Sequence, residues 1–155
     1  MDKIKQTGGG AIVDCLKREG VPFVFGVPGG QTLGIMDALY STPEIRFITV
    51  HDERAAAHMA DGYARATGQP GVCLTTTGPG ATNLLTGIGG ALHDSSPVIA
   101  ITANNRGRDL ARDDAQEADH VALLRSLTKW SLLITDIDRI PHAVREAFRR
   151  SLGGS

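Results

Sequence analysis

Along this chain, short apolar runs rich in β-branched residues alternate with stretches whose apolar positions recur every three to four residues. Ile12, Val13, Cys15 and Leu16 mark one face of a helix over Ala11 to Glu19, with Gly20 as a stop signal just past its end. Phe23-Val24-Phe25-Gly26-Val27 reads as a buried strand. Pro28-Gly29-Gly30 turns from it into a helix through Leu33, Met36 and Leu39. Further strands are expected at Arg46 to Val50, Val72 to Thr76, Pro97 to Thr102 and Trp130 to Ile134. An Ala-rich helix begins after the second strand, and Gly78-Pro79-Gly80 leads from the third into another. Asn104 to Asp119 is polar and without period, a long loop of the kind that carries function, with a short helix expected around Gln116 to Leu124. Ile140, Val144, Phe148 and Leu152 form a four-residue stripe on a last helix, with Asp138 expected as its cap and Pro141 in its first turn. Strand and helix in alternation predict an α/β fold, a parallel sheet flanked by helices on both faces.

The chain has 155 residues and is 41% hydrophobic, enough for one core, so residues 1–152 are read as one domain with 153–155 as a tail. With 16 Lys and Arg against 17 Asp and Glu, the net charge is −1, which argues against nucleic acid or an anionic membrane as partner. Cys15 and Cys73 fall on apolar faces and read as reduced core thiols. No apolar leader or membrane-spanning run is seen, so a cytoplasmic protein is expected.

Candidate chemistry concentrates between His51 and Asn83. His51-Asp52-Glu53-Arg54-Ala55-Ala56-Ala57-His58-Met59-Ala60-Asp61-Gly62-Tyr63-Ala64-Arg65 follows the second strand, and Thr77-Gly78-Pro79-Gly80-Ala81-Thr82-Asn83 follows the third. Two strand-to-helix junctions can then face one crevice at the carboxyl ends of parallel strands, where open α/β sheets bind ligands. A lone Gly-x-Gly turn is weak evidence, and no glycine stands at position 83 to complete a dinucleotide fingerprint. Val27-Pro28-Gly29-Gly30 supplies too few donors for a good phosphate loop, which argues against a flavodoxin-like nucleotide module.

From about Gly9 to Leu152 the chain resembles the pyrimidine-binding domain of thiamine diphosphate (ThDP) enzymes, nearest the acetolactate synthase branch, through the His51-x-Glu53-x-x-Ala56-x-x-Met59-Ala60-x-Gly62-Tyr63-Ala64-Arg65 motif. The resemblance implies that Glu53 is the catalytic residue, hydrogen-bonded to N1′ of the cofactor's aminopyrimidine, while the cofactor carries the carbon chemistry. Holding a proton there needs a desolvated carboxyl, and Ala55, Ala56 and Ala57 are expected to wall it. A plain first-turn glutamate favoured by the helix dipole is the alternative. By the same resemblance Pro28, Gly29, Gly30, Thr77, Gly78, Pro79 and Asn83 border the cofactor, although a turn required only by the fold would look alike. His51 is read as lining the substrate side or as structural, and His58 as packing near the site. Asn104 is read as substrate-facing. No two of His51, His58 and His93 have a convincing metal spacing.

The resemblance further implies 2-keto acid substrates and a homodimer or tetramer in which each site is shared between subunits. It implies Mg2+ held with the diphosphate by a separate domain through a Gly-Asp-Gly motif, and it admits FAD in the full-length enzyme. This chain has no Gly-Asp-Gly; Ala60-Asp61-Gly62 is its nearest match. It departs from acetolactate synthases on the substrate side: Ala103-Asn104-Asn105 replaces a Gly-Gln pair, and Asp113-Asp114-Ala115-Gln116-Glu117 lacks the usual Phe. Another decarboxylase or carboligase, or a non-catalytic module pairing with a partner domain, therefore stays open. The chain is expected to be a truncated domain, lacking a final strand that in the family lies between the fourth and fifth.

Overall fold

The computed structural model describes residues 7–105, 112 and 115–153. Four parallel strands, β1 (Phe23–Gly26), β2 (Arg46–Thr49), β3 (Gly71–Thr75) and β4 (Val98–Thr102), form one sheet in the order β2-β1-β3-β4. The register pairs Val24 with Phe47 on one side and with Val72 on the other, and Cys73 with Ala100. Strand residues alternate between two cores, as the period of two requires. Val24, Val72, Leu74 and Ile99 pack under α1 (Gly8–Arg18), α2 (Leu33–Tyr40) and α7 (Ile140–Leu152) through Val13, Leu16, Ile35, Leu39 and Phe148. Phe25 and Cys73 pack on the other face under α3 (Glu53–Thr67) and α5 (Leu85–His93) through Ala56, Ala57, Ala60, Leu84 and Ile88. The expected helix-flanked parallel sheet is thus present, with α4 (Pro79–Asn83) and α6 (His120–Leu124) as short helices near the strands' carboxyl ends.

Three local expectations need correction. First, α1 starts at Gly8, not Ala11: Thr7 caps it by accepting from the Gly10 amide, and a Cβ on Gly9 would stand 2.1 Å from the Gly34 carbonyl oxygen. The glycines are therefore helical because α1 and α2 cross backbone against backbone. Second, Asp138 does not cap α7; Asp136 accepts from the Asp138 amide and caps the 3-10 turn Ile137–Arg139 that feeds into it. Third, Trp130 to Ile134 forms no strand. It shares with β4 the lining of a cavity of about 940 Å³ whose other walls include Ile12, Val144 and Ala147. A β-ladder needs neighbouring backbones about 4.8 Å apart, and β4 pairs only with β3 among the described residues while this segment and β4 both line the cavity. It is anchored instead by Thr128 to Ser131 at 2.7 Å and by Arg150 stacked on Trp130.

Both cysteines are free and buried, and burial pushes the Cys73 thiol up to about 12, so it stays protonated as a core residue. The loop expected over 104–119 is described only in part: 106–111 and 113–114, including Asp113 and Asp114, lie outside the described residues.

Candidate functional site at the carboxyl ends of the strands

The chain leaves β1 for β2 on one side of the sheet and β3 for β4 on the other, so the strand order reverses between β1 and β3. Helices on opposite faces diverge there and leave a crevice beyond the strand ends. Both glycine turns meet at this point. Gly29, just after β1, packs on Thr76, just after β3, so tightly that a Cβ on Gly29 would lie 2.6 Å from the threonine Cβ. The buried Thr32 hydroxyl locks the first turn, accepting from the Gly29 amide and donating to the Gly29 carbonyl, each at 2.9 Å. Pro28 and Gly30 are exposed at its rim.

Glu53 opens α3 at the junction after β2. Asp52 caps the helix by accepting from the Arg54 amide at 2.9 Å, and the Arg54 guanidinium beside it holds the Asp52 carboxyl down at about 2. The cap keeps Asp52 turned to its own helix and leaves Glu53 for the crevice. Asn83, at the end of α4, donates from Nδ2 to Glu53 Oε2 at 2.9 Å. The other oxygen, Oε1, takes no hydrogen bond among the described residues and lies 3.5 Å from where a Gly80 Cβ would stand. That same Cβ would collide with Thr75 Oγ1 at 2.5 Å, so only glycine fits; the buried Thr75 hydroxyl itself has no hydrogen-bond partner among the described residues. Among the described residues the three alanines do not form the expected dry wall: Ala56 and Ala57 are buried in the core, Ala55 is exposed, and Glu53 is half-buried. One helical turn cannot aim three successive side chains at one neighbour.

Gly78 is forced to be glycine twice over: its φ is +56°, and a Cβ would stand 2.2 Å from the Gln116 carbonyl oxygen. Around it runs a polar belt joining the ends of β1, β3 and β4. Thr76 donates to Gln31 Oε1 at 2.7 Å, and Gln31 Nε2 donates to Asn105 at 3.2 Å. Asn104 Oδ1 accepts from the Asn105 amide at 2.9 Å and lies 3.3 Å from the buried Thr77 hydroxyl, so its oxygen is turned back into the protein. His120 Nε2 accepts from the Gly78 amide at 3.1 Å.

At the carboxyl ends of the strands the structure therefore sets Gly29 against Thr76, Asn83 and the Gly80 of the Pro79-Gly80 turn against Glu53, and Thr77 beside Gly78 against Asn104. His51 and His58 are exposed and take no part in these hydrogen bonds among the described residues. Gln31 and His120 were not anticipated. Gln31 follows a Pro-Gly-Gly turn and His120 opens an apolar run, and in each case a polar residue beside a turn or cap was the available signal. Among the described residues no three His, Cys, Asp or Glu side chains gather as a metal group. Asp61, in the nearest match to the metal motif, is buried in an ion pair with Arg65 at 2.8 Å, whose guanidinium holds its carboxyl below the ordinary range. Arg65 also pairs with Asp94, an arrangement that ties α3 to the end of α5. No helix is long and apolar enough to cross a membrane among the described residues.

Comparison with known proteins gives the family. Residues 6–123 match the family described as "Thiamine pyrophosphate enzyme, N-terminal TPP binding domain". The chain is 46% identical over 147 residues to a probable acetolactate synthase large subunit from Methanocaldococcus jannaschii, covering 95% of this chain and 25% of that protein. It is 46% identical over 141 residues to a chloroplastic acetolactate synthase of Nicotiana tabacum, covering 91% of this chain and 21% of that protein. It is 41% identical over 151 residues to the mitochondrial acetolactate synthase catalytic subunit of Aspergillus candidus, covering 97% of this chain and 22% of that protein. The chain thus spans about a quarter of the length of these relatives or less. With the switch-point crevice, the glycine turns and the junction glutamate, this match places the chain in the family of N-terminal thiamine pyrophosphate-binding domains of thiamine pyrophosphate enzymes.

Proposed function

We propose that this chain supplies the aminopyrimidine half of the site in a ThDP-dependent 2-keto acid enzyme of the acetolactate synthase type. The observation that carries this reading is the carboxyl of Glu53 at the switch-point crevice, held on one oxygen by Asn83 with the other left unbonded beside Gly80. The fit is chemical: a carboxylate oxygen without a partner suits a ring nitrogen that must carry a proton, and a glycine floor lets backbone approach a flat heterocycle. ThDP, when bound, supplies the carbanion chemistry at the keto acid carbonyl. Glu53 then holds and releases the proton at N1′, Asn83 orients it, and the Pro28-Gly29-Gly30 and Thr77-Gly78-Pro79 turns border the ring. A second domain or subunit closes over Glu53 and removes the water that this chain leaves around it.

The described residues of this chain fit neither Mg2+ nor the diphosphate, so the metal belongs to a diphosphate-binding domain in the full-length protein, with subunits sharing sites across a homodimer or tetramer. FAD, if the complete enzyme holds it, has no contact assigned to this chain. Titration of ThDP with Mg2+ onto the full-length protein, followed by calorimetry, tests the reading. Saturable binding that depends on both, with ThDP-dependent consumption of 2-keto acids, is expected. An absence of binding contradicts it, and binding without turnover of any keto acid favours a non-catalytic pairing module. Asn104 and Ala115, which depart from the acetolactate synthase pattern, favour a second acceptor or donor over the self-condensation of pyruvate.

A further inference from the structure

His120 lies outside every motif used so far, yet it is 6% exposed and sits at the centre of the polar belt. Each of its ring nitrogens has a partner. The Gly78 amide can only donate, so Nε2, at 3.1 Å, must be the bare, accepting nitrogen. Nδ1 then carries the hydrogen and donates to Thr102 Oγ1 at 3.1 Å, at the end of β4. The ring is thus a strut between β4 and the one glycine of the second turn whose backbone is left-handed. That turn feeds directly into α4, which carries Gly80 and Asn83, the two residues set against Glu53.

We propose that His120 is a pH-sensitive positioning residue for the cofactor turn: in its neutral form it fixes the Gly78 amide and so the placement of Asn83 and Glu53, and on protonation it lets that turn go. The consequence for ThDP rests on the function proposed above; the strut itself does not. Protonated Nε2 would set one N–H against another, and its proton would turn to the Thr77 hydroxyl, 3.3 Å away, instead. The surroundings bear on which form prevails. From α6 itself, the Asp119 carboxylate draws the ring toward its charged form, and Glu117 lines the same cavity. The groups in contact from β4 and the second turn are Thr102, Thr77 and Gly78, none charged; the Gln116 carbonyl of the 115–118 segment faces the Thr77 hydroxyl, and α4 carries no ionisable residue. Burial outweighs Asp119 and keeps the imidazole below its ordinary value of about 6.5. Since the folded value is the lower one, the strut is complete above about pH 6.5 and is lost as pH falls through the folded value.

Hydrogen exchange of the cofactor-free full-length protein, read by mass spectrometry on the peptide covering Thr77 to Asn83, tests this without using ThDP. After correction for intrinsic exchange, and followed from pH 7.5 downward to the acid limit of the folded domain, wild type should exchange about three- to tenfold faster once pH has fallen through the folded value than at pH 7.5, the range for losing one hydrogen bond. His120→Gln, whose amide can accept from Gly78 and donate to Thr102 without titrating, should keep the protection at pH 7.5 and lose its pH dependence. Thr102→Val, which removes the acceptor that fixes the tautomer, should loosen the same peptide already at pH 7.5. In parallel, the wild-type affinity for ThDP with Mg2+ should fall over the same pH range by more than that of His120→Gln. No pH response in wild type beyond that of the rest of the domain, or an equal response in His120→Gln, overturns the proposal. A protein that binds no ThDP contradicts the proposed function and leaves the exchange comparison decisive.

Discussion

Asn83 grips one oxygen of Glu53 from a helix thirty residues away, and that grip decides which oxygen faces the crevice. Asn83→Ala should therefore leave ThDP bound but reduce kcat about 10- to 100-fold, the range for a lost hydrogen bond to a charged group. Steady-state kinetics at saturating ThDP check this, and a kcat equal to wild type would assign Asn83 to the fold alone. On the proposed function, substrate preference rests on different residues. With Asn104 turned inward onto Thr77 and Asn105, and Ala115 in place of a ring, both the reach of the amide and the pocket volume differ from the acetolactate synthase pattern. The complete enzyme should prefer a donor or acceptor other than two pyruvates; pyruvate-to-acetolactate turnover as fast as with any other keto acid would refute this. The place of Glu53 at the junction after β2 was legible as an acidic residue between an apolar run and an Ala-rich helix, whereas the role proposed for it came from the motif's resemblance alone. Its grip by Asn83, and the roles of Gln31 and His120, were not legible, because each depends on which strand ends the fold makes neighbours.

The crossing of α1 and α2 gives a sharper test of packing than any apolar side chain. A side chain on Gly9 would meet the Gly34 carbonyl at 2.1 Å, backbone against backbone, so neither partner can swing away. Gly9→Val should destabilise the domain by about 2–3 kcal/mol or more, as overpacking does where nothing yields, and a urea melt beside one of Gly30→Ala, which has open space around it, measures the difference. Equal melts would contradict the close crossing. The four strands forming the sheet were readable from apolar runs bounded by turn residues, to within a residue or so at each end. The start of α1 was not, because three glycines carry no periodicity and only the tertiary contact makes them helical. Trp130 to Ile134 has the composition of a strand, but composition does not supply a neighbour, and the segment faces a cavity where a ladder partner would have to be.

The β4 edge and the cavity beside it leave this chain with backbone groups and apolar walls that invite pairing. Taken by itself, the 155-residue chain should associate in a concentration-dependent way, melt broadly and show no ThDP-dependent activity. Size-exclusion chromatography showing a sharp monomer, with a cooperative melt and measurable keto acid decarboxylation, would overturn this. On the proposed function this is half a site: Glu53 is only half-buried, and the chemistry proposed for it calls for a cover that removes water and a partner that holds the diphosphate. Only part of that was legible, since the motif points to the carboxylate and says nothing of what covers it. The role of Glu53 is nevertheless testable by one number. In the full-length protein with bound ThDP and Mg2+, Glu53→Gln should keep the fold and the cofactor yet slow hydrogen–deuterium exchange at the thiazolium C2 by roughly 10²–10⁴-fold, the usual contribution of a positioned acid–base group. An exchange rate unchanged from wild type would contradict the account.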